Sequence, residues 1–325
     1  MGANPAICFA VMLASAVAAH AAQRATSPHE NYPVKPIRLI VPQAPGGSND
    51  IMARYVGQYL SERLGRQVVV DNRPGADAII GTEIVARSVP DGYTLLLASA
   101  AYTTNAAVRK LPYDPLTAFD WVAMLGSGPT ALTVGPLLPV SSVKDVLAAA
   151  KAKPGHITLA SAGGFQHFAH ALFRSLSGLD FTIVMYKGGM PALIDVMGGQ
   201  THVTIGSIVQ SLTHIRSGRV KALATGGTKR AATLPDLPTI AEAGVPGFDA
   251  NNWWSIAAPA GTPPAVIARL NSEIATLLKL PETQTRFRND GAEVDIKTPA
   301  ELRRMISIDI AKWTKVAKEA GMHAQ

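Results

Sequence analysis

Three side chains in the 325-residue sequence could, by type alone, form a hydrolytic triad: Ser48 as nucleophile, His167 as base and Asp50 as its orienting carboxylate. Their surroundings argue against it. Ser48 lies in Pro45-Gly46-Gly47-Ser48-Asn49-Asp50, with no Gly-x-Ser-x-Gly elbow, and Asp50 is only two residues from the hydroxyl. His167 and His170 are three apart on one helical face and could begin a metal site, but no third ligand is evident. The only cysteine, Cys8, falls in the N-terminal apolar segment, so thiol chemistry is denied to the rest of the chain. We therefore expect no catalytic residue, no metal and no cofactor. The same stretch is better suited to holding an anion. Glycine permits a sharp turn and close approach of a ligand to backbone N–H groups, and Gly47 is expected at positive φ. The first N–H groups of a helix are unpaired and sit at the positive end of its dipole. A Gly-Gly before a helix also serves as a plain tight turn. Asp50 can cap that helix or meet a ligand ammonium or hydroxyl. No Gly-Lys-Ser/Thr follows, and the spacing is not GxGxxG, so nucleotide loops are excluded.

The turn needs a strand before it and a helix after it. Residues 37–41 are a short apolar run of strand type, and Ile51, Met52, Tyr55, Val56, Tyr59 and Leu60 mark one face of a helix. Strands follow at 67–71 and 93–98, with a helix at 79–88 between them. A Pro, Gly and aromatic cluster at 111–128 and a second break at 244–252 enclose another series. It has a strand at 131–134, a helix at 142–151 opened by Ser142 and Asp145, and strands at 157–160, 182–186, 203–205 and 221–224. Residues 254–258 return the chain to the first sheet, and Thr298-Pro299-Ala300-Glu301 opens a long last helix. This alternation predicts an α/β fold with mainly parallel sheets, in which ligands sit beyond the carboxyl ends of strands. Further turns at such ends are 99–104, 161–167 and 186–190.

Composition agrees with a packed, globular chain: 47% hydrophobic and 16% charged residues. The net charge of +7 is scattered, with no Lys/Arg run, which favours small anions over nucleic acid. Residues 6–22 are apolar, and Ala19-His20-Ala21 fits a signal-peptide cleavage pattern, although no Lys or Arg precedes the run. Removal near Ala21 or Ala22 is expected; an uncleaved anchor is the alternative.

Several stretches, in order, resemble the periplasmic solute-binding receptors of tripartite tricarboxylate transporters, the Bug receptor family. They include Tyr32-Pro33-Val34-Lys35-Pro36-Ile37, the Pro45 to Asp50 turn, Asn72-Arg73-Pro74-Gly75-Ala76 and Pro90-Asp91-Gly92-Tyr93-Thr94-Leu95. Tyr186-Lys187-Gly188, Gly198-Gly199-Gln200, Pro235-Asp236-Leu237-Pro238-Thr239 and Pro259-Ala260-Gly261-Thr262-Pro263 continue the series. The resemblance implies a two-lobed venus-flytrap fold of type II. Its lobes would be 32–127 plus 253–325 and 128–252, after a signal peptide at 1–22. It implies a monomeric periplasmic receptor, with a small carboxylate ligand and membrane transporter subunits as partners. A ligand sensor docking on a two-component kinase is the alternative. The ligand carboxylate is expected at Gly46, Gly47, Ser48, Asn49 and Asp50 and, from the other lobe, at Ser161, Gly163, Gly164, Gln166 and His167. Ala76, Tyr186 and Gly188 complete the expected site. The chain departs from the family pattern at three places: Gln43 replaces an aromatic residue, Asp77-Ala78 a Gly-Gly pair, and Phe165 a small hydroxyl residue in a shortened loop.

Overall fold

The computed structural model describes residues 31–319 and 321–322, and the N-terminal apolar segment and Cys8 lie outside them. β1 (Ile37–Val41) leads into α1 (Ser48–Leu64), which ends at the left-handed Gly65. β2 (Val68–Asn72), α2 (Ile79–Ala86) and β3 (Thr94–Ser99) follow, both strands running parallel to β1. α3 (Ala100–Val108) begins directly at the end of β3. Residues 99–104, expected as a turn, are thus its N-cap and first turn. The stretch contains no glycine, and Ala100, Ala101, Ala106 and Ala107 favour a helix.

β4 (Phe119–Val134) is a single 16-residue strand through the stretch expected to be a boundary. The glycines that suggested a break allow close packing instead. A Cβ on Gly126 would strike the Glu293 carbonyl, and one on Gly128 would lie 3.0 Å from that of Gly291. The second half comprises α4 (Val143–Ala152), β5 (Thr158–Ser161), α5 (Gly164–Ser177), β6 (Thr182–Met185), α6 (Gly189–Met197), β7 (Val203–Ser207), α7 (Ile208–Arg216) and β8 (Lys221–Thr225). β9 (Asn251–Pro259) carries the chain back to α8 (Pro264–Lys279), α9 (Pro281–Asp290), β10 (Glu293–Val294) and α10 (Pro299–Glu319).

The strands run in the order β2-β1-β3-β9-β4-β7-β5-β6, with β8 and β10 also on β4. Pairing is parallel where strands alternate with helices and antiparallel where β4 and β9 cross. The sheets are therefore mixed, not mainly parallel. β4 pairs with β9 from Phe119 to Pro129 and then with β7 and β8 from Thr130 onward, so one strand belongs to both halves. Both capping boxes form. Asp145 N donates to Ser142 Oγ at 3.2 Å while its carboxylate accepts from Ser142 N at 2.9 Å. Thr298 N donates to Glu301 Oε2 at 2.8 Å and Glu301 N to Thr298 Oγ1 at 3.3 Å. Among the described residues no helix is long and apolar enough to cross a membrane.

Candidate functional site

The carboxyl ends of the strands in both halves face one cavity of about 870 Å³. Five helices begin on its wall. Gly47 and Ser48 open α1, Ser99 precedes α3, Gly163 and Gly164 open α5, Gly188 and Gly189 open α6, and Ser207 precedes α7. None of the five has a side-chain cap, so their first N–H groups are left for another acceptor. At α3, Ala100 N is met by Asn252 Oδ1 at 3.3 Å. Against these dipole ends the wall carries one carboxylate, Asp77, and one ammonium, Lys187.

Contacts divide the five ends into two sides. The Gln210 side chain fills the space against Gly47 and Gly189, joining the starts of α1, α6 and α7, and Ala44 packs on Gly188. On the other side Ala101 of α3 packs on Gly164, and the Asp77 carboxylate lies against Gly163, both at the start of α5. Two buried bonds and one partly buried bond hold the first-half helices in place. Trp254 Nε1 donates to Asn49 Oδ1 at 2.8 Å, Asn49 Nδ2 donates to Ser99 Oγ at 3.2 Å, and Asn105 Nδ2 donates to the Asp77 carbonyl at 2.6 Å.

Of the residues expected at the site, Gly47, Ser48, Asn49, Ala76, Gly163, Gly164, Gln166, Tyr186 and Gly188 line the cavity. Gly46, Asp50, Ser161 and His167 are not among its lining residues. Asp50 is not the cap of α1, whose N-cap is Gly47; it is buried one turn in, where its Oδ2 accepts from Gly46 N at 3.0 Å and Arg54 Nε at 2.9 Å. Burial raises its carboxyl pKa, but the bonds from Arg54 and Gly46 outweigh this and leave it below the ordinary value. Its charge braces the turn and is not offered to the cavity. Positive φ falls on Gly46 (81°), whereas Gly47 is extended at φ −78°, so the conformation expected at Gly47 lies one residue earlier. Gln166 lines the cavity with its amide already engaged: Oε1 accepts from Ala162 N at 2.7 Å and Nε2 donates to Thr204 Oγ1 at 2.7 Å. The Tyr186 hydroxyl donates to Asp195 Oδ2 at 2.7 Å, and burial together with that carboxylate raises its pKa.

His167 makes no hydrogen bond to Ser48 or Asp50 among the described residues. Burial, aided by Arg174 and Arg109 and opposed by Asp77, holds its imidazole below the ordinary pKa. His170, a residue of α5, is fully buried, accepts from Ile205 N at 2.9 Å through Nε2, and is pushed by burial to a pKa of about 3. No group of three or more His, Cys, Asp or Glu among the described residues could hold a metal ion.

Asp77, singled out in the sequence as a departure from the family pattern, lines the wall, whereas the start of α7, with Ser207 and Gln210, and Asn252 from β9 were not expected there. A signal for Ser207 existed, since it follows a strand and precedes a helix at the end where ligands gather. Asn252 reaches the site through a strand more than a hundred residues from its neighbours, and no local pattern announces it.

Two α/β halves that share β4 and exchange β9 around a cleft ringed by helix starts define a two-lobed periplasmic-binding-protein fold of type II. The family model described as "Tripartite tricarboxylate transporter family receptor" matches residues 52–322, and the chain belongs to that family of solute-binding receptors. It is 38% identical over 297 residues to Protein BugT of Bordetella pertussis, covering 90% of this chain and 91% of that protein. Among solved structures it resembles R. palustris Rpa4515 with adipate, at a TM-score of 0.87 and 36% identity, covering 89% of this chain and 98% of that one. It also resembles MatC from Rhodopseudomonas palustris with bound malate, at 0.84 and 29%, covering 88% and 99%.

Proposed function

We propose that this chain is a periplasmic receptor that closes on a small organic carboxylate and presents it to the membrane subunits of a tripartite tricarboxylate-type transporter. The observation that carries this reading is the convergence on one cavity of five helix starts, none capped by its own N-cap side chain and only that of α3 met by another, Asn252. A carboxylate there replaces water on N–H groups already aimed at it, and no side chain has to reorganise. The receptors of known ligand that it resembles hold adipate and malate, which agrees with this chemistry. In this reading the protein is not an enzyme and works as a monomer. Its lobes are 32–127 plus 253–325 and 128–252, hinged where β4 and β9 cross. The packing of Ala44 on Gly188 and of Ala101 on Gly164, between residues of the two lobes so divided, supports this reading.

The test is thermal unfolding with a panel of small mono- and dicarboxylates and their uncharged amides. A carboxylate that binds the folded state only, at a hundredfold excess over Kd, adds about 2.7 kcal/mol, or roughly 5 °C or more in Tm. Carboxylates should raise Tm and their amides should not. Equal shifts with the amides would overturn the assignment of the helix starts to an anion.

A further inference from the structure

One segment of the wall is held in a backbone conformation that its residues do not favour. Ala76, Asp77 and Ala78 are three successive non-glycine residues at positive φ, 45°, 54° and 81°. Such a run persists only where its surroundings over-determine it. Here Asn105 Nδ2 donates to the Asp77 carbonyl at 2.6 Å, Thr82 Oγ1 donates to the Ala78 carbonyl at 2.8 Å, and Ala78 N donates back to Gly75 O at 3.0 Å. The conformation points one side chain across the cleft. Asp77 Oδ2 accepts from Arg109 Nη2 at 2.5 Å, and Oδ1 lies so close to Gly163 that a Cβ there would collide with it. Oδ1 has no hydrogen-bond donor among the described residues. Arg109 is not a cavity-lining residue, whereas Asp77 is. A ligand therefore meets the carboxylate and not the guanidinium that supports it.

We propose that Asp77 is a specificity-determining residue, which makes the site prefer a monocarboxylate bearing a second, hydrogen-bond-donating group, ammonium or hydroxyl, over an unmodified dicarboxylate. The inference rests on the carboxylate-receptor reading above. The five helix starts divide unequally around Asp77. Those of α1, α6 and α7 present no acid to the cavity, because Asp50 in the first turn of α1 is paired with Arg54 and does not line it, and they can take a ligand carboxylate, with Lys187 also among the lining residues. The start of α5 is already faced by the Asp77 oxygen. A second ligand carboxylate on that side would meet like charge in a partly desolvated space, whereas a donor would satisfy Oδ1. An ammonium gains charge attraction and a hydroxyl only the hydrogen bond, so the two donors are ranked in that order.

The experiment is calorimetric titration of the parent and of Asp77→Asn with matched straight-chain acids of four to eight carbons. Each length is offered as the plain monocarboxylate, the dicarboxylate, the ω-hydroxy acid and the ω-amino acid. Asn tolerates positive φ and keeps the shape of Asp, and a thermal melt checks that the variant folds. The parent should bind the ω-amino acid of the best length at least about tenfold more tightly than the dicarboxylate, the scale of one charge-assisted bond. Asp77→Asn should erase that ratio, with the dicarboxylate gaining and the amino acid losing. Parent preference for the dicarboxylate, or an unchanged ratio in Asp77→Asn, overturns the proposal while leaving the receptor reading intact. Binding of none of the acids by the parent overturns the carboxylate reading and this proposal with it.

Discussion

On one side of the cavity α1, α6 and α7 begin around Gln210; on the other, α3 and α5 begin around Asp77. Both sides use the same part, an uncapped helix start in which small residues expose backbone N–H groups. Such a part attracts any anion and distinguishes few of them, because its partial charge belongs to the main chain. The side-chain carboxylate of Asp77 changes the second side from an attractor into a selector. Affinity for carboxylates can then come from backbone that many sequences would build, and selectivity from one residue in a strained tripeptide.

The largest effect should come from making the two sides alike. Ser48→Asp places a carboxylate on the side whose wall has no acid, at the first position of α1. Repulsion between this charge and a ligand carboxylate about 4–5 Å away is about 3.5–4 kcal/mol at an effective dielectric near 20, roughly several hundredfold in Kd. Fold stability should fall by about 1–3 kcal/mol, because Ser48 is buried and the Asp50 carboxylate lies in the same helical turn, which together outweigh the dipole gain. Titration calorimetry and a urea melt read the two losses separately. Unchanged affinity would mean that the ligand carboxylate sits elsewhere.

A second substitution addresses the other side. Gly163→Ala combines positive φ (77°) with a collision against Asp77 Oδ1, and should cost about 1–3 kcal/mol of stability. Asp77→Gly should recover part of this, because it removes the obstructing atom and relaxes φ at position 77. The coupling in the double-variant cycle should reach about 1 kcal/mol, read from urea melts. Strict additivity would show that the two residues do not touch in solution.

How far the sequence reveals this arrangement follows from the range of each signal. The turn at Gly46 to Asp50, the helix behind it, both capping boxes and the return of the chain at Trp254 are legible because each is encoded within a few residues. Of β4 only 131–134 is legible as strand, because the glycines before it look like turn signals until β10 and Gly291 are seen packed against them. The role of Asp50 could not be separated from that of Asp77 by type. Both are acids at strand-to-helix turns, and only the structure shows one buried against Gly46 and Arg54 and the other on the wall. His167 is expected at the site through the family resemblance, and in the first turn of α5 Gly163, Gly164 and Gln166 line the cavity while His167 does not.

The α5 side should also be the more acid-sensitive. His170 of α5 has a folded pKa of about 3 against an ordinary 6.5, so the unfolded chain binds a proton that the folded chain refuses. The contribution is therefore complete above about pH 6.5 and is lost as pH falls towards 3, at about 1.4 kcal/mol per pH unit at its steepest. His167 and His202, also depressed by burial, act in the same direction. Urea midpoints at pH 7 and pH 5 should differ by about 2 kcal/mol from His170 alone. His170→Gln, which keeps an acceptor for Ile205 N, should remove that share. An equal pH loss in the variant would show that His170 titrates normally.

The smallest effect separates two adjacent glycines on the α1 side. Gly46 sits at φ 81°, where alanine brings its Cβ too close to the neighbouring carbonyl, so Gly46→Ala should cost about 1–2 kcal/mol. Gly47 sits at φ −78° and ψ 170°, a region open to any residue. A Cβ built there finds only ordinary contacts, 3.7 Å from Gln210 Oε1 and 3.8 Å from the Ala44 carbonyl. Alanine is a poorer N-cap than glycine by a few tenths of a kcal/mol, and the reduced freedom of the unfolded chain returns about 0.4–1 kcal/mol. Gly47→Ala should therefore fall within about 0.5 kcal/mol of the parent, and ligand affinity within roughly threefold, because the N–H groups of Ser48 and Asn49 remain in place. Parallel urea melts and titrations of the two variants test this. If Gly47→Ala proved the more damaging, the positive-φ residue would be the second glycine, and the path of the backbone into α1 would differ from the one described.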